Sequence, residues 1–358
     1  MSIKIKLGKD IIGDNSKTYI VFEAGATHNG LDSAKKLIDY SSKAKANSVK
    51  FQLITNPEKI INNRNIKFSY KYLGRNGTEK KNEESLYEIL KRRSLNENEW
   101  INLKKFADKK NIDFFATAED FDDIDFLISL GVNTIKISSA DCTNFPLIKY
   151  ASKTNKVIQI DTGGTTPKEI KETINFIKNN KNKNIILHLN PPNYPTSYKD
   201  VNLGLIQKYK KKFKIPIAFS DHSPGDMVSY AAVCKGANLI EKTITLNKFT
   251  KSVEHIMSLE PPQMIEFVKN IRNLEKTFGD IERKINKAFF LKRKKIRKSV
   301  VASHDIDVGD EINYQNVNFK APEFGISLKK FYYLKSKKKI FSKKKISKGA
   351  LIKLQNIK

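Results

Sequence analysis

The strongest constraint in the sequence is an alternation. Through the first 280 residues, short runs rich in β-branched and aromatic residues are each followed by a longer segment with helical period, the pattern of βα units around a parallel sheet. It predicts strands at Thr18–Phe22, Ser48–Leu53, Ile112–Ala116, Thr134–Ile137, Val157–Ile160, Ile185–His188, Ile215–Phe219 and Leu239–Thr243. Helix-period runs such as Ser33–Lys45, Lys168–Lys178 and Pro261–Phe278 lie between or after them. Eight strands with eight helices predict an α/β fold, a (βα)8 TIM barrel, which is a common single unit at roughly 250 residues.

Barrels of this kind build their sites at the C-terminal ends of the strands. Those ends here are polar. In order they supply Glu23, Lys50 with Gln52, Thr117, Lys136 with Ser138 and Ser139, Asp161 with Thr162, His188 with Asn190, Asp221 with His222, and Glu241 with Lys242. One such residue is readily explained as a loop cap; eight in succession point to a site. Lysines, hydroxyls and histidine converging with carboxylates suit an anionic, phosphorylated substrate that undergoes acid–base chemistry.

Past residue 280 the pattern changes. Ser299–Ala302, Glu311–Ile312, Val317–Phe319 and Ala350–Lys353 read as short strand-like pieces, separated by turn-rich segments at 305–310 and 347–349 and with little helical period. This predicts a barrel domain at 1–280, a basic linker at 281–296 and a small β-rich domain at 297–358. Its core would be thin, so it should lean on the barrel or on a second subunit.

Charge marks the same step. The chain has a formal net charge of +29, and residues 281–358 carry 22 basic against 6 acidic side chains. The excess is mostly lysine, with no aromatic-rich RNA-binding signature, so it reads as surface charge and argues against nucleic acid. No run approaches the roughly 20 apolar residues of a membrane span, and the first residues lack the pattern of a signal peptide. A cytoplasmic location is expected. The only cysteines, Cys142 and Cys234, support neither a disulfide framework nor a structural zinc site.

Several motifs occur in a telling order: 23–30 (EAGATHNG), 49–52 (VKFQ), 85–90 (SLYEIL), 136–141 (KISSAD) with 144–148 (NFPLI), 193–196 (NYPT) and 220–225 (SDHSPG). Through them the chain resembles the sialic acid synthase family, which condenses phosphoenolpyruvate with an N-acylated amino sugar. The tail, with Arg297–Ala302 and Asp305–Asp310, looks like the antifreeze-like (SAF) domain of these enzymes. The resemblance implies a homodimer in which the tail of one subunit closes over the barrel mouth of the other.

It also implies roles. Lys50 and Lys136, with the hydroxyls of Thr117 and Ser139, would hold phosphate and carboxylate, and Glu23 would transfer the proton. Gln52, Tyr194 and either Asn190 or Asn193 would fix substrate oxygens, with Asp141, Ser220, Asp221 and Glu254 also on the substrates. His222 matches a ligand of a divalent metal, manganese or magnesium, that polarises the aldehyde.

Four departures stand at chemically important positions. Thr243 occupies the place of the family's second metal histidine, with His255 a conceivable substitute. Glu254 and Asp141 keep charge but change reach. Asp161 replaces a serine near the substrate phosphate, and Ala321 replaces the tail arginine that reaches the partner's sugar pocket. They suggest an acceptor other than plain N-acetylmannosamine. Alternatives are a phosphoenolpyruvate-dependent synthase using a different, phosphorylated aldose, or a catalytically decayed sugar-binding paralogue.

Overall fold

In a computed structural model, which describes residues 4–280, 282 and 284–358, eight parallel strands close on themselves in chain order. They are Tyr19–Glu23, Ser48–Gln52, Asp113–Ala118, Thr134–Ile137, Val157–Asp161, Ile185–Leu189, Ile217–Asp221 and Leu239–Thr243. Each falls within two residues of its expected bounds. Helices follow every strand, among them Leu31–Lys43, Pro167–Asn179 and Pro261–Thr277. Several begin on designed-looking caps: Asn96 with Glu99 and Thr166 with Glu169 form reciprocal capping boxes, which satisfy the orphan amides of a first turn.

Two apolar layers result from the two-residue period of the strands. Outward residues such as Phe22, Phe51, Ile137, Ile160 and Ile240 pack against the helices. Inward residues Tyr19, Val21, Phe115, Val157, Ile186, Ala218 and Leu239 fill the barrel floor together with Ile5, Leu7 and Ile12. The last three come from an N-terminal hairpin, Ile5–Leu7 paired with Asp10–Ile12, which the alternation did not predict.

A second hairpin was likewise not predicted. Lys67–Leu73 pairs antiparallel with Glu79–Ser85, inside the long connection between the second and third barrel strands. Its Tyr70 is buried with Ile89 and Val253.

The chain divides into two compact units, Met1–Phe278 and Gly279–Lys358. The second has its own core around Val300, Ile306, Ile312, Ile326, Phe331 and Ile352. Ser299–Ala302 pairs with Val317–Lys320, while Glu311 and Leu351 make single bridges, to Phe341 and Val301, instead of full strands. The expectation of little helix here is corrected by Lys287–Ile296 and Leu328–Lys337. The first buries no side chain and lies in the segment read as a linker; the second starts on a Ser327 cap and inserts Phe331 into the core. No helix among the described residues is long and apolar enough to cross a membrane.

Candidate active site

Above the apolar floor, the inward side of every strand turns polar. Parallel register sets the levels: Glu23 lies beside Lys50 and Thr243, Gln52 beside Thr117, Thr117 beside Lys136, Asp161 beside His188, and Ser220 beside Glu241. These groups cannot be left unpaired in a closed barrel without a penalty of several kcal/mol per ion, roughly, and they pair with one another.

Lys50 donates to Glu23 and lies 3.6 Å from Glu241. The other Glu23 oxygen accepts the amide of Gly25. Deeper, the Lys136 ammonium lies 2.8 Å from Glu241, 2.9 Å from Asp161 and 3.1 Å from His188 Nδ1. Because Gln159 spends its amide nitrogen on Thr134, its oxygen must accept from His188 Nε2, at 2.7 Å. His188 is therefore the Nε2–H tautomer, and its bare Nδ1 accepts from Lys136. Burial, with Lys136 adding, pushes this imidazole down to about 3.

The carboxylates divide by partner. Burial opposes ionisation of Glu241, but Lys136 and Lys50 outweigh it and hold the group well below the usual range. Glu23 is raised by burial and by Glu241 despite Lys50. Glu119 is raised by burial, Asp141 and Asp123 to about 7. Glu254 reaches about 7 through burial and Glu23, against Arg93.

A cavity of about 190 Å³ opens over this network. Of the expected site residues it brings together Glu23, Lys50, Gln52, Thr117, Ser139, Asn190, Tyr194, His222 and Glu254, joined by Glu119, Ser138, Asp161 and Glu241. Tyr194 stacks on His222 with ring centroids 4.1 Å apart. Five carboxyl groups and a single lysine line this wall, an acidic mouth in a strongly basic chain.

Asp161, which stands where the resemblance expects a serine near the phosphate, is held by Lys136 and by Asn190, each at 2.9 Å. Lys136 and Ser220 lie beneath the cavity in the buried network, with Ser220 hydrogen-bonded to His188 and Glu241. Asp141 accepts from Ser138 and Asn144 and orders the loop before the helix Phe145–Lys153.

Asp221 and Lys242 require correction. Both point out of the barrel, on the side of Phe219 and Ile240, because each stands one residue out of phase with the inward set. Asp221 accepts from Ser223 and Ser229 and pairs with Lys242 at 3.2 Å, both side chains fully buried. Nor does Asp221 cap a helix: the next one, Met227–Cys234, starts after Asp226.

Sequence reasoning missed Glu119 and Arg93. Glu119 stands just past the third strand, and a search extended three residues beyond the expected strand end at Ala116 would have found it. Arg93 is almost fully buried in the connection after the second strand and donates to Gln52 Oε1 at 3.2 Å. It lies in a run of basic residues, Lys91 to Arg93, that reads as surface.

Two places bear on metal binding. Asp161, His188 and Glu241 offer ligand atoms within 4.8 Å of one another, a cluster that could hold one. The Lys136 ammonium already sits against all three, so an ion there would have to displace it. His222, the expected ligand, belongs to no group of three such donors among the described residues. Thr243 contributes a hydroxyl that is 3.4 Å from Glu254, and His255, whose Nδ1 is engaged by Thr245 at 2.7 Å, likewise belongs to no such group among the described residues. As arranged, the residues fit a lysine-neutralised network better than a divalent cation.

Comparison with known proteins gives a consistent result. The NeuB family profile matches residues 37–283. The chain is 35% identical to the N,N'-diacetyllegionaminic acid synthase of Campylobacter jejuni, covering 88% of this chain and 93% of that protein. It is 30% identical to the human N-acetylneuraminate-9-phosphate synthase, over 87% and 85%. Among solved structures, the N-acetylneuraminic acid synthetase of Leptospira borgpetersenii, in complex with citrate, superposes with a TM-score of 0.70 at 29% identity, covering 82% of this chain and 95% of that one.

Proposed function

The chain belongs to the NeuB family, and from that premise we propose that it is a nonulosonic acid synthase, joining phosphoenolpyruvate to the open-chain aldehyde of an N-acylated amino sugar with release of phosphate. Unspent donors at the mouth carry the reading: the hydroxyls of Thr117 and Ser139 face the cavity beside Lys50 and make no side-chain hydrogen bond among the described residues. They suit a phosphate, and the raised carboxyls of Glu119 and Glu254 reduce the negative charge that it would meet.

In the proposed reaction C3 of phosphoenolpyruvate forms a bond to the aldehyde carbon, whose oxygen takes up a proton. Water adds at C2 and loses a proton, and the C2–O bond to phosphate then breaks. Glu23 is the proton-transfer group, raised by burial and held in place by Lys50 and Gly25. Lys136 acts from below, fixing Asp161 and Glu241; it reaches substrate only by exchanging one of them for a substrate oxyanion. His222 and Tyr194 form a stacked wall on the sugar side. No step is assigned to a metal.

The legionaminic-type name of the Campylobacter relative favours a di-N-acylated, unphosphorylated acceptor over a sugar phosphate. By the same reading the enzyme works in the cytoplasm as a homodimer, with a small second unit of SAF type. The test is release of inorganic phosphate from phosphoenolpyruvate by the purified protein, with 2-acetamido-mannose, its 6-phosphate, and 2,4-diacetamido-2,4,6-trideoxymannose as acceptors, with and without Mn²⁺. Release is expected with the diacetamido sugar; silence with all three overturns the reading.

A further inference from the structure

Beside the catalytic cavity lies a second one of about 220 Å³, and the two share Gln52, Tyr194 and Glu254. The two adjoin at these three side chains. A substrate with its aldehyde at Glu23 would have its far end in this second space. Phe68 and Tyr70 of the hairpin wall one side, and Ile89, Val253 and Ile256 the other.

Three charged residues line this otherwise largely apolar space, Lys71, Arg93 and Glu254, and of these Arg93 has donors to spare. Arg93 is 7% exposed and makes no salt bridge among the described residues. Nε donates to the Ile89 carbonyl and Nη1 to Gln52, each at 3.2 Å. A guanidinium has five N–H donors, so three are unspent, both of those on Nη2 included. Nη2 is also not sealed away, since it is absent from the buried polar atoms that lack partners. A buried guanidinium with free donors, bounded by apolar side chains, fits an acceptor oxygen attached to a small alkyl group. A phosphate would meet Glu254, and Lys71, the other cation of the lining, already pairs with Glu79 at 2.6 Å.

We propose that this second cavity receives an N-acyl arm of the acceptor sugar remote from the aldehyde, with Arg93 donating to the acyl carbonyl and the hairpin side chains enclosing the alkyl end. Arg93 is thus a specificity-determining residue. The inference rests on the synthase reading for the identity of the sugar, but not for the binding itself.

Binding is therefore measured without chemistry. The probes are two sugar alcohols that lack the aldehyde: reduced 2-acetamido-mannose and reduced 2,4-diacetamido-2,4,6-trideoxymannose, titrated calorimetrically into the full chain. The wild type should bind the diacylated alditol at least about tenfold more tightly. Arg93→Leu should lose about 10- to 100-fold for that probe, the worth of one charge-assisted hydrogen bond, and only a few-fold for the other. Phe68→Ala, at a half-exposed hairpin position, should also reduce the preference and serves alone if Arg93→Leu does not fold. Equal binding of the two alditols by the wild type, or an undiminished preference in the folded variants, overturns the proposal. Arg93-dependent binding without phosphate release from phosphoenolpyruvate would instead leave the subsite standing and sink the synthase reading.

Discussion

At the scale of single residues, the site is a problem in neutralising buried charge. Glu23 is gripped on one oxygen by Lys50 and on the other by Gly25. Glutamine in its place keeps an acceptor but cannot exchange a proton. Glu23→Gln is expected to lower turnover by about 10²- to 10⁴-fold while calorimetric binding of phosphoenolpyruvate stays within a few-fold; near-normal turnover would remove Glu23 from its role. The residue types of this network were legible at the strand ends, because a polar residue at an inward position near the mouth has few reasons to be there. Asp221 and Lys242 were misread since only the two-residue period, counted from the apolar floor, separates inward from outward. Arg93 left no signal, because burial of a loop residue depends on what packs over it. Register also bears on metal binding. Asp221 lies beside Lys242, so one step further His222 stands next to Thr243 on the neighbouring strand, about 5 Å away at strand spacing. Thr243→His would set two imidazoles side by side, and Mn²⁺ should then bind at least about tenfold more tightly by calorimetry, imidazole being a far better ligand than a hydroxyl. Unchanged affinity would mean that the Glu254 contact of position 243 governs the geometry.

Among the elements, the barrel strands announce themselves and the hairpin over 67–85 does not. A strand buried on both faces must be apolar along nearly its whole length, which is visible in runs such as 185–187 and 217–219. The strands Lys67–Leu73 and Glu79–Ser85 are largely exposed, and the second is almost wholly charged or polar, so no alternation betrays them. Their ion pairs, Lys71 with Glu79 and Lys67 with Glu83, are exposed and contribute little. A two-stranded hairpin of this kind is marginal unless something anchors it. Tyr70 is the anchor: it packs on Ile89 and Val253, and its hydroxyl reaches Glu84 at 3.0 Å and the Lys251 carbonyl at 3.3 Å. Tyr70→Ala should loosen the hairpin without unfolding the barrel. Limited proteolysis within 67–85 should speed up at least about tenfold while the main thermal transition moves by only a few degrees. A single large fall in the melting temperature with no selective cleavage would show instead that hairpin and barrel unfold as one.

For the molecule as a whole, the acidic mouth and the buried histidines set how stability responds to pH. Four of the five histidines, His28, His188, His222 and His255, are buried and neutral, pushed down by burial to about 3 or about 4. Unfolded, they titrate near 6.5, roughly. A folded value below the unfolded one contributes stability that is present above about pH 6.5 and lost as pH falls toward the folded value. Raised acids act in the other sense, Glu23 and Asp113 by direction alone and three others with values near neutrality. Burial raises Glu119 and Glu254 to about 7 and Asp123 to about 6, so their contribution is complete below the ordinary carboxylate range and is lost as pH rises through 6 to 7. Between about pH 4.5 and 6.5, the unfolded chain takes up protons on these four histidines that the folded chain refuses, while the folded chain keeps protons on these three acids that the unfolded chain releases. The two sets nearly cancel. Below that window the raised acids are protonated in both states, and the histidines act unopposed, joined by Glu241, which Lys136 and Lys50 hold low despite its burial. Stability of the barrel should therefore be nearly flat from pH 7 to about 4.5 and then fall steeply, by up to about 1.4 kcal/mol per pH unit for each of these groups. Urea midpoints measured from pH 7 down to 3.5 test the shape. A steady decline that starts at pH 6.5 would mean that Glu119, Asp123 and Glu254 are ionised in the folded protein, and that the mouth carries its full negative charge near neutral pH.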